Sequence, residues 1–128
     1  MSIAQYLATN KKPSKTKWGN IKTEFQGEIY DSKKEADYAM HLEIAKKASK
    51  KSERVLSWKR QIPFKISING QHICTYLADF EVKYADGRTE YVDTKPLDKR
   101  RNKFLTTDVY RLKKKMVFAQ YGIEILER

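Results

Sequence analysis

The sequence predicts an α/β domain, a mixed β-sheet flanked by helices in the order α-β-β-β-α-β. Three observations predict it. First, "DSKKEADYAMHLEIAKKASKK" and "TTDVYRLKKKMVFAQYG" carry apolar residues at helical spacing. Second, the segment between them, from Arg54 to Lys95, alternates apolar and polar residues around two turn signals, Asn69-Gly70 and "ADG" at 85–87. Third, a short apolar run, "IEIL", follows the second helical segment, where a closing strand would fall. A length of 128 residues suits one such domain.

Each element has a local reason. Residues 1–17 hold Lys11, Lys12, Lys15 and Lys17 with no acid, and Pro13 and Ser14 interrupt them, so they read as a basic arm before a domain at 18–128. "KTEFQGEIYDS" reads as a small hairpin turning at Gln26-Gly27. A helix is predicted from Ser32 to about Lys50. Ser32 is a good N-cap and Glu35, three residues on, completes a capping box. Ala36, Tyr38, Ala39, Met40, Leu42, Ile44 and Ala45 give it a wide apolar stripe. Strands are predicted at Arg54–Ile62, Phe64–Ile68, Gln71–Tyr84 and Arg88–Lys95, with Pro63 marking an edge or bulge. "LDKRRNK" is a basic connection. Thr106 or Thr107 caps the second helix, Val109, Leu112, Met116 and Val117 form its stripe, and Gly122 stops it.

Composition limits the function. The net charge of +11 points to a polyanionic partner, nucleic acid first. No apolar run approaches the roughly 18 residues that a spanning helix needs, so no membrane partner is expected. The opening residues lack the apolar core of a signal peptide. One cysteine, Cys74, suits a reducing, cytoplasmic setting. One cysteine and two histidines exclude a zinc finger. Any metal would be held by carboxylates, which favours Mg²⁺ or Mn²⁺.

The acids are informative. Cys74, Tyr76, Ala78, Phe80, Val82 and Tyr84 alternate as a core face, leaving Asp79 pointing away in mid-strand. An acid there needs compensation. A two-residue Asp86-Gly87 loop would pair Asp79 with Thr94 and put Asp79 and Asp93 on opposite faces. A three-residue Ala85-Asp86-Gly87 loop, with Gly87 left-handed, pairs Tyr84 with Arg88 and so Asp79 with Asp93. The longer loop is predicted, because a divalent cation would turn the repulsion of facing acids into attraction. Glu35 shares a helix face with Tyr38, Ala39 and Leu42 and so points inward or along the packing seam, unless it serves only the capping box.

Glu35 in "SKKEA", Asp79 in "YLADF" and Asp93-Thr94-Lys95 in "VDTK", followed by the helix "YRLKKKM", resemble the PD-(D/E)xK nuclease superfamily. The likeness is nearest to small phage-associated proteins related to Holliday junction resolvases of the endonuclease I type, and it covers most of residues 18–126. Ala78 stands where the superfamily name has Pro, and Pro96 where relatives often have Gly. The resemblance implies a restriction-endonuclease-like core and hydrolysis of phosphodiesters in branched DNA. It also implies a homodimer, in a phage-encoded or prophage protein of a bacterial host. Asp79, Asp93, the Thr94 carbonyl and Glu35 would ligate Mg²⁺ or Mn²⁺. Lys95 would orient the attacking hydroxide, with Lys113 assisting.

The remaining basic residues suit phosphate contacts that do not read bases. They are Lys11 and Lys12 in the arm, Lys46, Lys47 and Lys50 at the end of the first helix, Lys59 and Arg60 in the strand after it, and Lys99, Arg100, Arg101, Lys103, Arg111 and Lys114 around the second helix. The rival reading is a non-catalytic DNA-binding accessory of phage replication, recombination or packaging. Trp18 and Trp58 are expected to pack rather than stack on bases.

Overall fold

The computed structural model describes residues 21–128. The basic arm, with Lys11 and Lys12, and Trp18 lie outside them. The described residues divide into two units, one ending at 41 and the other covering 42–128.

In the first unit, β1 (Thr23–Phe25) and β2 (Glu28–Tyr30) form the expected hairpin. Gln26 and Gly27 both have positive φ, 51° and 81°, the backbone of a two-residue hairpin turn. Helix α1 (Lys33–Ala45) then begins, and Ser32 Oγ accepts the Glu35 N–H at 3.1 Å, the predicted cap. The helix ends five residues earlier than expected. Its last carbonyls tighten into three-residue turns, with Lys47 N–H bonded to Ile44 O and Ala48 N–H to Ala45 O. Arg54 then ties down the following segment, donating to the carbonyls of Ala48 and Ser49 at 2.8 Å each. The stripe of α1 is also narrower than expected: Ala36, Ala39 and Leu42 are buried, Met40 and Ile44 exposed.

The second unit is built on a four-stranded mixed sheet, ordered β3-β4-β5-β8. β3 (Val55–Ile68) and β4 (Gln71–Tyr84) make one long hairpin across Asn69-Gly70. The two strands expected on either side of Pro63 are therefore one. β3 is the sheet edge, so the missing Pro63 N–H breaks no inner ladder. β5 (Thr89–Asp93) pairs antiparallel with β4, and β8 (Ile125–Glu127) pairs parallel with β5. The closing strand thus begins two residues later than "IEIL" would set it.

"LDKRRNK" is not a plain connection. It folds as a hairpin of β6 (Leu97–Asp98) and β7 (Lys103–Phe104). Asp98 Oδ1 accepts the N–H groups of Arg100 and Arg101, which replaces backbone partners in the turn.

Helix α2 (Asp108–Tyr121) starts at Thr107, whose side chain accepts the Tyr110 N–H, and stops at Gly122, φ 70°. Its inward face keeps Val117 and the partly buried Met116 of the expected stripe but not Val109 and Leu112. Val109 and Leu112 are 62% and 58% exposed, while Tyr110 and Val117 are buried. Tyr110 and Val117 join Phe64, Ile66, Tyr76, Ala78 and Ile125 in one core cluster. Trp58 packs on Phe80 at 5.8 Å and donates from Nε1 to Glu43 at 2.9 Å, a structural role as expected. No helix of the described residues is long and apolar enough to cross a membrane.

Candidate active site

The turn between β4 and β5 decides whether two acids meet. Tyr84 N–H bonds to Arg88 O at 2.9 Å and Gly87, φ 93°, donates to Tyr84 O at 3.1 Å. The loop is the three-residue one, Ala85-Asp86-Gly87. Phe80 pairs with Val92 in the resulting register. Carried one residue further, that register sets Asp79 opposite Asp93.

The backbone ladder between β4 and β5 stops at Phe80, and the aspartates continue it with their side chains. Asp79 N–H donates to Asp93 Oδ1 at 2.8 Å. Thr94 donates to Asp79 Oδ2 from its N–H at 2.9 Å and from Oγ1 at 3.1 Å. Each carboxylate therefore fixes the strand opposite its own. This satisfies backbone donors where the strands part, and it holds both acids in place.

Asp93 is 2% exposed and has further partners. The Tyr76 hydroxyl donates to Asp93 Oδ2, and Lys95 Nζ lies 3.6 Å from the same oxygen. The Lys95 ammonium also sits 4.0 Å from the centre of the Tyr110 ring, a cation–π contact. Burial, then the Asp93 charge, pushes the pKa of both Tyr76 and Tyr110 well above the usual phenol range. Both remain protonated at neutral pH. Glu127 also raises Tyr110, although the buried Tyr110 hydroxyl meets hydrogen-bond geometry with no partner among the described residues.

β8 holds the strand from behind. Lys95 N–H donates to Arg128 O, and Arg128 N–H to Asp93 O, both at 3.0 Å. The backbone on either side of Thr94 is thus clamped, and Lys95 projects from a fixed point.

Asp79, Asp93, Lys95 and Lys113 all line one open cavity of about 340 Å³, with Tyr76, Tyr110 and Thr107. The first turn of α2 forms part of its wall, so its backbone N–H dipoles add to the positive side. Lys113 faces inward, as expected, because it shares a face with Tyr110 and Val117, three residues after one and four before the other. Carboxylates with Lys95 beside them on the strand side, and Lys113 on the helix side, can hold a phosphate between a cation and a proton donor.

The other expected residues are not among those that line this cavity. Glu35 belongs to the first unit, at the start of α1, and is 3% exposed. Among the described residues no three His, Cys, Asp or Glu side chains form a group able to hold a metal ion. Lys46, Lys47, Lys50, Lys59, Lys99, Arg100, Arg101, Lys103 and Arg111 are exposed, while Arg60 and Lys114 are half-buried. Lys46 pairs with Glu43 at 3.0 Å and Lys114 with Glu127 at 3.8 Å. Arg111 is held by Asp108 and by Thr106.

Sequence reasoning missed Tyr76 and Tyr110. Alternation places Tyr76 in the core, and it is there, but its hydroxyl reaches a carboxylate 17 residues away. The signal open to the eye was a tyrosine, rather than a phenylalanine, on a buried face: a buried hydroxyl requires a partner.

An α/β unit with paired acids and two lysines around one cavity is the class of protein that fold and site define. The chain belongs to the family described as Protein of unknown function (DUF1064), which matches residues 15–125. No curated protein and no solved structure matches it.

Proposed function

We propose that the protein is a metal-dependent DNA endonuclease of the PD-(D/E)xK kind, selective for branched DNA in the manner of a junction resolvase. The observation that carries this reading is the convergence of Asp79, Asp93, Lys95 and Lys113 on one cavity, from three separate elements. The donor set fits a hard divalent ion: two carboxylates on facing strands, with no competing thiolate or imidazole among the lining residues, and the Thr94 carbonyl would be the further oxygen. Bound there, Mg²⁺ or Mn²⁺ would polarise the phosphoryl group and acidify a water.

The chain's own residues have distinct tasks. Asp79 and Asp93 hold their places through the reciprocal bonds to backbone N–H groups. Tyr76 orients Asp93. Lys95, set on the Tyr110 ring, places a positive charge where the phosphate gains negative charge. Lys113 and the α2 N-terminus bind the phosphate from the other wall. The exposed basic residues attract the DNA backbone. The setting that accords with this is the cytoplasm of a bacterial host carrying a phage or prophage, with two protomers for two strands.

A second reading has its own observation. Both Asp93 oxygens already accept hydrogen bonds, which favours a non-catalytic DNA-binding protein that has kept the architecture. One experiment separates the two. A four-way junction, a flap and a plain duplex are incubated with the protein in Mg²⁺, in Mn²⁺ and in EDTA, beside Asp93→Ala. Cutting of the junction in metal alone, lost in the variant, is expected. Binding without cutting in either metal refutes the enzyme. Equal cutting of all three substrates refutes the selectivity.

A further inference from the structure

A second opening lies against another face of α2. It is a groove of about 520 Å³, walled by Phe104 of β7 and Phe118 of α2 and lined by Arg111, Lys114 and Lys115, with Glu124 and Glu127 at its side. Phe118 is 59% exposed, an expensive position for a large aromatic ring on a helix whose core contacts are made by Tyr110 and Val117. Lys114 pairs with Glu127, and Arg111 is held by Thr106 and Asp108. Aromatic faces interleaved with cations are the chemistry of stacked bases strung on phosphates. Lys103, next to Phe104, extends the basic side onto the β6–β7 turn.

We infer that this groove binds an unpaired nucleotide of single-stranded nucleic acid, with the base stacked on Phe118 and the phosphate on Lys115 and Arg111. Glu124 marks the base side, since a phosphate avoids it and a base donor, the N3–H of thymine or an exocyclic amino group, can donate to it. The groove and the candidate active site share α2: Lys113 lines one and Lys114 and Lys115 the other. A strand leaving the active-site cavity meets the groove only if it has left its duplex. Branch points and flaps supply such a strand and plain duplex does not, which gives the proposed selectivity a physical origin. The inference rests on the nuclease reading for its DNA partner, but its test does not need cleavage.

The test measures binding in EDTA. Fluorescence anisotropy of labelled oligothymidylate and of a duplex is compared for the full chain, Phe118→Ala, Phe118→Trp and Lys115→Ala. Stacking is worth roughly 1–3 kcal/mol per base, so Phe118→Ala is expected to weaken oligothymidylate binding by about 5- to 150-fold. Duplex binding is expected to change less than about twofold, and Phe118→Trp to restore the single-strand affinity. A single 2-aminopurine in the strand is expected to be quenched by the wild type and not by Phe118→Ala. Equal losses on both DNAs, or no loss, overturn the inference. So does polyglutamate that displaces oligothymidylate equally well from wild type and Phe118→Ala. Junction cleavage with unchanged oligothymidylate binding in Phe118→Ala leaves the nuclease reading standing without the groove. A selective loss in a protein that cuts nothing leaves the groove standing without the nuclease.

Discussion

Replacing Tyr76 by phenylalanine tests the core of the site without adding volume. Asp93 is 2% exposed and depends on three donors: the Asp79 N–H, the Tyr76 hydroxyl and Lys95. The substitution leaves Oδ2 with Lys95 alone, at 3.6 Å, beyond good hydrogen-bond length. A hydrogen bond to a charged group contributes about 1.5–3 kcal/mol, so a loss of about 2 kcal/mol is expected. For a domain of this size that lowers Tm by about 8 °C. Urea denaturation followed by tryptophan fluorescence gives the free energy, and a double-mutant cycle with Asp93→Asn isolates the pair. A coupling of about 1–3 kcal/mol is expected. Stability of Tyr76→Phe within about 0.5 kcal/mol of wild type, with no coupling, would refute the claim that Tyr76 holds Asp93.

Three further outcomes follow from the same geometry. Unfolded tyrosines ionise near pH 10 whereas Tyr76 and Tyr110 keep their protons when folded; stability is therefore intact below about pH 10 and falls above it. Tyr110→Phe should make that fall shallower by about 1.4 kcal/mol per pH unit in pH-dependent denaturation. Gly87→Ala places a side chain at φ 93° and should cost about 1–2 kcal/mol, while deletion of Ala85, which forces the shorter loop, should abolish junction cleavage. Lys95→Ala should slow cleavage by about 10²- to 10³-fold in single-turnover assays while gel-shift affinity for the junction holds.

What could be read from the sequence was what local chemistry decides. The Asp79–Asp93 register follows from a turn of three residues with a glycine at its left-handed position, although the preference for that turn over the two-residue one also rests on the facing acids. The same holds for the Gln26-Gly27 and Asn69-Gly70 turns, the Ser32 and Thr107 caps and the Gly122 stop. The errors arose where tertiary context chose. Val109 and Leu112 looked like the buried stripe of α2 because they are apolar. The face that turns inward instead carries Lys113 between Tyr110 and Val117, since half of it borders a polar cavity rather than a core. Helix α1 looked longer because Lys46, Lys47, Ala48 and Lys50 are good helix formers, but the chain tightens into i→i+3 bonds at Lys47 and Ala48 instead of continuing it. The β6–β7 hairpin was hidden because its turn is stabilised by the Asp98 side chain, not by a glycine.

The parallel pairing of β8 with β5 has a consequence for the order of assembly. Asp93 and Lys95 are clamped through Arg128, and β8 follows α2 in the chain. During synthesis the β3–β4–β5 meander is available well before the strand that fixes its edge at Asp93 and Lys95. The acids can therefore be in register while the lysine beside them is still unanchored. A chain at that stage holds its charges but not their geometry, so the arrangement of the proposed site is complete only when β8 docks. Probes of partial synthesis should find a structured meander first and a competent site afterwards.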